Sequence, residues 1–515
     1  MSAAQSTARS TPATLRVLLA YRGDVDTKGG AALVMEQTGA ALRKLGVEVD
    51  CSFDTYPSLA GYDLVQAFNA WRPDSALEQL RHLRGSGVPV VWQPFYLHWQ
   101  EAAWASLAVR AVLSQDDVSL RAKLLEELRC GRVVVNGMTQ HGRNEIIPGF
   151  DAMLCEMVDC VDHLCVVGNH EMQKLAQVTR LSSKPYTIVP HGVDAEIFAK
   201  ARPDAFVEYS GLRDFVLCVG ALDARKNQAL LAEALRETEL PLVLVGPCFE
   251  PDYRQVVLAH GGERLVHFER LPRELIASAY KAASVHVLPS FAEASALANM
   301  EAAAAGCPIV VSNRSSEFEY FGDLAYYCDP SDARGIREAI LLARERREAE
   351  RERWQELAGR MREFSWERTA LATLTAYRRA LAAAGGALVP EARRFLTISF
   401  AEELVSAPEQ LGAYAEVFSP SDDATLLILV PPGTSGELDR LEQTVAAAGL
   451  DGESTVDMIA CAIPEHSWGA LAARADALYS CSEPPGGFTG LPRFGPAQAR
   501  ELRRFAGLRE LRAAS

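Results

Sequence analysis

The sequence predicts an α/β fold made of two facing Rossmann-like, doubly wound domains and a smaller C-terminal α/β domain. Short apolar runs alternate with helical patterns through the first third of the chain, and this rhythm restarts near residue 215. Short apolar strands that alternate with helices are typical of parallel sheets covered on both faces. A change of composition near residue 390, beyond which lysine is absent, indicates the third domain.

The first predicted domain covers residues 14–195. It starts with the apolar run "LRVLLA" at 15–20 and a helical pattern from Ala31 to Leu45, and continues with the runs "VEVDCSF", "YDLVQAF" and "VPVVWQP". The preceding residues 1–13 are polar and predict a disordered tail. They contain no apolar stretch flanked by basic residues, so we predict no signal peptide.

The second predicted domain covers residues 196–384. Its strand-like runs are "FVLCVGAL", "PLVLVG", "LVHF", "SVHVLPS" and "CPIVVS". Because ligands bind at the carboxyl ends of strands in doubly wound sheets, we predict a binding cleft between the two domains.

The third predicted domain covers residues 385–515. The stretch "AAAGGALVPEA" at 382–392 reads as a linker, because it is rich in Gly and Ala and contains one Pro. Beyond it, strand-like and helical runs resume in an acidic segment with 18 acidic and 10 basic residues. Residues 463–482 repeat the pattern of residues 271–290. Residues 271–290 are followed by two glutamates eight positions apart, Glu293 and Glu301, whereas Glu483 is followed eight positions later by Leu491, which indicates a degenerate accessory copy.

Bulk composition excludes several classes of protein. The net charge of −15 disfavours a nucleic-acid binder. No run of about 18 apolar residues exists, so no transmembrane segment is expected. Eleven cysteines without a CxxC pair favour a reducing, cytoplasmic setting, and peripheral contact with the inner membrane face is compatible with it.

The segment "PSFAEASALANMEAAAAGCP" at 289–308 contains only two charged residues, Glu293 and Glu301. We expect Glu293 in a strand-to-helix loop and Glu301 about two turns into the helix that follows. Between them, a helix N-terminus offers backbone N–H groups that favour anions, at Ser295, Ala296 and Leu297. A diphosphate with a sugar on one side and a ribose on the other would fit. In the alternative, Glu293 caps the helix and Glu301 pairs with a core-facing arginine.

Two loops add candidate binding residues. Arg225 and Lys226 follow a predicted strand, at the sheet edge where a phosphate would be held. Gly29 and Gly30 follow the first strand, where the backbone can approach a ligand closely. The alternatives are a solvent-exposed basic loop and an ordinary turn.

Taken together, the GG loop, "VPHGVD", the strand–loop–Lys–helix unit, "LPS", Glu-x7-Glu and "GCPIVVS" occur in an order that resembles the family 4 retaining glycosyltransferases. The resemblance covers about residues 14–384 and points to the bacterial group 1 type with an extra C-terminal domain. Within it, residues 364–381 resemble the family's closing helices, which are expected to cross back to the first domain. It implies the GT-B fold.

The resemblance also implies roles for single residues. Gly29 and Gly30 would contact the donor diphosphate and sugar, and Lys226 would neutralise the leaving group. Glu293 would face the sugar at the reacting centre, and Glu301 would accept hydrogen bonds from the ribose. The nucleobase would lie near residues 268–271, including Leu271. No metal and no cofactor are expected beyond a nucleotide-sugar co-substrate, which can be linked to UDP, GDP or dTDP.

The sequence departs from the family pattern at three places. Ala221 stands where many members carry Arg, and we expect Arg225 to supply part of that charge. Ala294, Ser295 and Ala296 replace a Gly-Phe-Gly, which narrows the sugar pocket and adds a hydroxyl. Pro94 stands where many members carry His, so His98 becomes a displaced substrate-binding candidate, or else an ordinary packed histidine.

These observations predict a retaining, metal-independent, hexosyl-type glycosyltransferase. It would move a sugar from a nucleotide-sugar donor to a hydroxyl of a glycan, lipid-linked or small-molecule acceptor in polysaccharide or glycoconjugate biosynthesis. One alternative is a sugar-nucleotide epimerase or hydrolase of the same architecture. Another is a non-catalytic partner subunit. The oligomeric state is left open.

Overall fold

The computed structural model describes residues 15–22, 29–96, 98–142, 145–179, 184–295, 297–389, 391–431, 435–450, 456–488 and 490–513. The predicted tail at 1–13 lies outside these residues. The described chain forms three parallel sheets of six, six and five strands. The predicted fold class, two Rossmann-like domains and a smaller C-terminal α/β domain, is thereby confirmed.

The first domain is a six-stranded parallel sheet flanked by helices. Its strands are β1 (Arg16–Ala20), β2 (Glu48–Ser52), β3 (Leu64–Phe68), β4 (Val90–Gln93), β5 (His163–Val166) and β6 (Tyr186–Ile188). Its helices are α1 (Gly30–Lys44), α2 (Pro73–Gly85), α3 (Trp99–Leu113), α4 (Val118–Arg129), α5 (Phe150–Asp159) and α6 (Asn169–Val178). The strand order is β2-β1-β3-β4-β5-β6. The central strand β3 is buried along its whole length because helices cover both faces of the sheet.

The second domain repeats this architecture. Its helices are α7 (Ala195–Lys200), α8 (Asp204–Ser210), α9 (Gln228–Leu235), α10 (Pro251–Gly261), α11 (Arg273–Ala282), α12 (Leu297–Ala304), α13 (Glu317–Phe321), α14 (Ala333–Glu345) and α15 (Arg351–Met361). Its strands are β7 (Val216–Val219), β8 (Leu242–Val245), β9 (Leu265–Phe268), β10 (Val285–Leu288), β11 (Ile309–Ser312) and β12 (Tyr326–Cys328). The order β12-β11-β10-β7-β8-β9 places a topological switch point between β7 and β10, where such sheets bind ligands.

A long helix, α16 (Trp366–Leu388), leaves the second domain and packs against α1 and strands β4 to β6 of the first. The Tyr377 hydroxyl donates to the side chain of Gln66 in the first sheet. The helix continues to Leu388, so much of the predicted linker at 382–392 is helical. Gly385 has a packing role there, because a Cβ on it would lie 2.1 Å from the Ala470 carbonyl oxygen.

The third domain has the strand order β15-β14-β13-β16-β17. These strands are β13 (Phe395–Phe400), β14 (Ala424–Leu429), β15 (Met458–Cys461), β16 (Ala477–Tyr479) and β17 (Arg493–Phe494). The helices are α17 (Ala401–Ser406), α18 (Glu409–Ala415), α19 (Ser435–Ala447), α20 (Trp468–Arg474) and α21 (Ala499–Ala513). The second domain shows the same order in its first five strands.

The third domain docks through α20, which packs against α16. Gly469 of α20 lies so close to the first domain that a Cβ on it would be 2.6 Å from Asp63 Oδ1. Asp63 immediately precedes β3, so this contact is at the amino end of that strand. The third domain therefore contacts the side of the first sheet opposite to the carboxyl ends of its strands.

Helix α3 belongs to the first domain by sequence but shares a core with the second. Trp104 is fully buried, and with Val109 and Val112 it packs in one apolar cluster with Leu222 and Leu230 of the second domain. At the end of α3, His260 Nε2 lies 3.0 Å from the Leu113 carbonyl oxygen. The two domains are therefore joined by a continuous apolar core beside the predicted cleft.

Within the described residues, no helix combines the length and hydropathy of a membrane span.

Candidate active site

A cleft of about 720 Å³ lies between the first two domains. Residues that follow strand ends of both sheets line it, among them Tyr21 after β1, Asn69 after β3 and Gly220 after β7. Eight of the residues predicted from the sequence are also in the lining: Gly29, Gly30, Arg225, Lys226, Glu293, Ser295, Leu297 and Glu301.

Glu293 is held between two cations in this cleft. Its Oε1 lies 2.6 Å from Lys226 Nζ and 3.0 Å from Arg225 Nη1, and it accepts a hydrogen bond from Ser290 Oγ at 3.1 Å. Only 10% of its side chain is exposed. Burial alone would raise the pKa of Glu293, but Lys226 and Arg225 outweigh it and lower that pKa to about 2. The carboxylate is therefore ionised, and it does not cap α12, which begins four residues later.

Backbone geometry fixes these cations in place. Residues Ala224–Lys226 form a short 3-10 turn after β7, and Asn227 follows in the left-handed region with φ of 64°. The side-chain amide of Asn227 donates through Nδ2 to the carbonyl oxygens of Pro289 and Pro330. The backbone N–H of Phe291 donates to the carbonyl oxygen of Arg225. The loop that carries Lys226 and the loop that carries Glu293 are thus bonded to each other. A buried non-glycine residue with positive φ is characteristic of functional sites.

Glycines at two strand ends make room for Lys226. A Cβ on Gly220 would lie 2.9 Å from Lys226 Cδ, so the lysine side chain passes directly over this glycine. A Cβ on Gly246, at the end of β8, would lie 2.2 Å from the Gly220 carbonyl oxygen. These two glycines let the ends of β7 and β8 approach each other beneath the lysine.

Glu301 lies at the other end of the same segment. Helix α12 begins at Leu297, so Glu301 lies about one turn into the helix rather than the two turns predicted. The Tyr280 hydroxyl donates to Glu301 Oε2 at 3.2 Å. Burial raises the pKa of Glu301 to about 7. Arg273 forms its ion pair with Asp194 at 2.6 Å, so the alternative in which Glu301 pairs with a core-facing arginine is not observed.

His191 of "VPHGVD" also lines the cleft, although the sequence analysis assigned it no role. It is 3% exposed, and its Nδ1 lies 2.5 Å from Ser295 Oγ. Burial lowers the pKa of His191 to about 4, so the ring is neutral. The hydroxyl that Ser295 adds to the family pattern thus contacts a histidine, and Ser295 lies in the loop before α12.

The first domain contributes an aromatic wall to the cleft. Trp71 and Trp99 stack with ring centroids 4.3 Å apart and an interplanar angle of 17°. Asn69 and Phe95, at the ends of β3 and β4, have positive φ values of 72° and 46°. Trp71 was not predicted from the sequence. The run "NAW" directly after β3 could have indicated it.

The remaining predicted residues lie as follows. Gly29 is the N-cap of α1, and a Cβ on Gly29 or Gly30 would meet no atom within 4 Å, so space is open beside both. His98 is not in the cleft lining, and its Nδ1 lies 3.3 Å from Glu101 Oε2. Leu271 packs against the core of the second domain outside the lining. Ala296 lies outside the described residues. In the described chain no group of three or more His, Cys, Asp or Glu side chains is placed to hold a metal ion.

Comparison with known proteins gives matches to glycosyltransferases. Residues 205–361 match the family described as "Glycosyl transferases group 1". The O-antigen chain mannosyltransferase B of Escherichia coli is 30% identical over 178 residues, which cover 32% of this chain and 45% of that protein. The D-inositol 3-phosphate glycosyltransferase of Corynebacterium glutamicum is 30% identical over 182 residues, which cover 31% and 43%. The chain thus spans less than half the length of these curated relatives.

Solved structures of similar shape cover more of the chain. Sucrose-phosphate synthase from Thermosynechococcus elongatus superposes with a TM-score of 0.50 at 19% identity, over 72% of this chain and all of that structure. The Anabaena protein Alr3699/HepE in complex with UDP has a TM-score of 0.50 at 14% identity, over 71% of this chain and all of that structure. At these identities the likeness concerns the fold. The chain therefore has the GT-B fold with an additional C-terminal domain, and its residues 205–361 are similar to the group 1 glycosyl transferases.

Proposed function

We propose that the protein is a retaining glycosyltransferase of family 4 that transfers a sugar from a nucleotide-sugar donor to a hydroxyl acceptor. One observation carries this proposal. Arg225, Lys226, Glu293 and Glu301 all lie within the segment that matches group 1 glycosyltransferases, and all four line one interdomain cleft. Cations and carboxylates so arranged suit a ligand with a diphosphate at its centre and hydroxyl groups at both ends.

In the proposed reaction, the acceptor hydroxyl oxygen forms a bond to the anomeric carbon of the donor sugar while the bond from that carbon to the phosphate oxygen breaks. The bonding electron pair goes to the departing phosphate oxygen, and the acceptor proton ends on the nucleoside diphosphate. Lys226 and Arg225 would stabilise the charge that develops on this leaving group. Preorganised cations in a partly dry cleft contribute several kcal/mol to such steps.

Glu293 and Glu301 have separate roles in this proposal. Glu293 would exchange part of its contact with Lys226 for the donor sugar, and orient the sugar or stabilise its positive charge in the transition state. Glu301 would accept hydrogen bonds from the ribose hydroxyls, in place of the contact from Tyr280. We expect Glu293→Ala to lower mainly turnover and Glu301→Ala to weaken mainly donor binding.

A donor panel tests the proposal. UDP-, GDP- and dTDP-sugars are screened by thermal shift, and nucleotide release is then measured with and without acceptors. A glycosylated product with the donor's anomeric configuration by NMR, unaffected by EDTA, supports a retaining, metal-independent transferase. Rapid release without acceptor, or an epimerised sugar, would favour a hydrolase or epimerase, and no shift with any donor would favour a non-catalytic subunit.

The biosynthetic setting is proposed from the relatives. Their names include O-antigen chain and inositol phosphate glycosyltransferases, which supports a role in polysaccharide or glycoconjugate biosynthesis. The third domain docks at the amino end of β3, a strand of five residues whose other end faces the cleft. At about 3.3 Å per residue the separation is roughly 15 Å, so we propose a docking role for this domain rather than contact with the acceptor.

A further inference from the structure

The two walls of the cleft differ in charge. Among the described lining residues, all six charged side chains come from the second domain, namely Asp223, Arg225, Lys226, Glu250, Glu293 and Glu301. The described lining of the first domain contains aromatic, aliphatic and uncharged polar groups. A ligand on that wall would therefore meet no cation from the first domain in the described lining.

This difference bears on the chemistry of the acceptor. Arg225 and Lys226, the two cations of the lining, are already bonded to Glu293 and are proposed to receive the donor diphosphate. A phosphate group on the acceptor, placed against the first domain, would lose its hydration without gaining a cationic partner among the described lining residues of that domain. Burying an unpaired anion is strongly unfavourable.

The same wall is well suited to a sugar ring. Trp71 and Trp99 are both half-buried and lie parallel in the lining. One face of Trp99 is against Trp71, and the guanidinium carbon of Arg225 lies 5.9 Å from the Trp99 ring centroid. Trp71 stacks on Trp99, and Trp99 in turn contacts this cation, so Trp71 is held in the lining as a flat apolar ring.

Polar groups beside Trp71 are arranged to bind hydroxyl groups. Asn69 Oδ1 accepts the Trp71 backbone N–H at 3.0 Å, and Asn69 Nδ2 donates to the Tyr21 hydroxyl oxygen at 3.1 Å. These bonds fix the amide orientation and leave one N–H of its NH₂ group and the Tyr21 hydroxyl proton without an acceptor among the described residues. A flat apolar ring bordered by an amide and a hydroxyl matches the alternating C–H and O–H groups of a sugar.

We propose that the acceptor is an uncharged carbohydrate whose ring packs on Trp71 and whose hydroxyls are bound by Asn69 and Tyr21. This inference rests on the proposed transferase function for the direction of the reaction, but the binding surface itself does not depend on it. It separates this chain from enzymes that act on phosphorylated sugars.

The test uses the full-length protein and its Trp71→Ala and Trp71→Phe variants. Neutral methyl glycosides and disaccharides are compared with their 6-phosphate esters, both as acceptors in nucleotide release and as ligands in saturation-transfer NMR. We expect neutral sugars to be preferred. We expect Trp71→Ala to raise the acceptor KM about ten-fold or more, as loss of an aromatic contact surface predicts, with donor affinity within two-fold of wild type. Trp71→Phe should restore most of the binding.

The inference would be overturned if a phosphate ester were used or bound better than its neutral parent sugar. It would also be overturned if the wild type bound no neutral sugar, or if Trp71→Ala left the binding of neutral sugars unchanged. Failure of the transferase proposal looks different. In that case no acceptor stimulates nucleotide release, while NMR still shows neutral sugars bound to the wild type and lost from Trp71→Ala. Trp71→Phe and a melting-temperature measurement guard against a variant that is merely unfolded.

Discussion

Replacing Glu293 by Gln should tighten the binding of a nucleoside diphosphate while it slows turnover. The Glu293 carboxylate neutralises two cations of the cleft, because its Oε1 lies 2.6 Å from Lys226 Nζ and 3.0 Å from Arg225 Nη1. An isosteric amide removes that negative charge and leaves both cations in place. Because the proposed leaving group binds the same cations, it no longer competes with a resident carboxylate.

The magnitude follows from the geometry. Two unit charges 2.6 Å apart attract by about 6 kcal/mol at an effective dielectric constant near 20, and desolvation offsets most of this. A net charge-assisted hydrogen bond contributes about 1.5–3 kcal/mol, which corresponds to roughly 10- to 100-fold in affinity. We therefore expect the Kd of UDP, GDP or dTDP, whichever binds the wild type, to fall by about that factor. Loss of a buried ion-pair partner should also lower the free energy of unfolding by about 3 kcal/mol.

Isothermal titration calorimetry of the nucleoside diphosphate measures the affinity, and nucleotide release measures turnover. Glu250→Gln is the matched control, because Glu250 lines the same cleft but pairs with Arg110 instead of the cluster. An unchanged or weaker affinity in Glu293→Gln would refute the reasoning, since it would mean that the diphosphate does not reach Lys226 and Arg225. An equal increase in nucleoside diphosphate affinity in Glu293→Gln and Glu250→Gln would indicate a general effect of removing a negative charge from the cleft.

Three further predictions concern the same cleft. Gly30→Ala should leave the free energy of unfolding equal or up to about 1 kcal/mol higher, because Ala favours the helix and its Cβ meets no neighbour, yet it should weaken donor binding. A donor affinity equal to that of the wild type would contradict the placement of the donor. Binding of a nucleoside diphosphate should release protons between about pH 6 and 7. The reason is that burial raises the pKa of Glu301 to about 7, and ribose hydroxyls that donate to its carboxylate would stabilise the ionised form. Calorimetry in two buffers of different ionisation enthalpy measures this proton release, and Glu301→Gln should abolish it. Gly220→Ala should reduce turnover at least ten-fold by displacing Lys226, and a normal rate would show that the lysine can adapt.

The sequence was sufficient for the fold because its strands are short apolar runs that end at glycines and turns. The order of motifs also located the loops that carry Lys226 and Glu293, since parallel strands bring their carboxyl ends to one edge. Predicting Gly385 as part of a linker failed for a physical reason. Composition cannot distinguish a glycine that gives flexibility from one that lets two helices approach closely.

Contacts between distant residues could not be predicted in the same way. Lys226 and Glu293 are separated by 67 positions and His191 and Ser295 by 104, so their bonds depend on how two loops and two domains meet. The start of α12 was placed too early because "SALANMEAAAAG" has helical character throughout. The loop conformation, with Ser295 bonded to His191, decides where the helix begins.

The apolar core that α3 shares with the second domain has a consequence for engineering. Exchange of the whole first domain between related proteins would be cut near residue 195, where the sequence divides. Such a chimera would bring a foreign α3 against the cluster around Leu222 and Leu230, and Trp104, Val109 and Val112 would be lost from it. Recombination sites before Trp99 and after Met138 would retain α3 and α4 of this chain and keep the shared core intact. The strands of the first domain on either side of this segment would then come from the other protein.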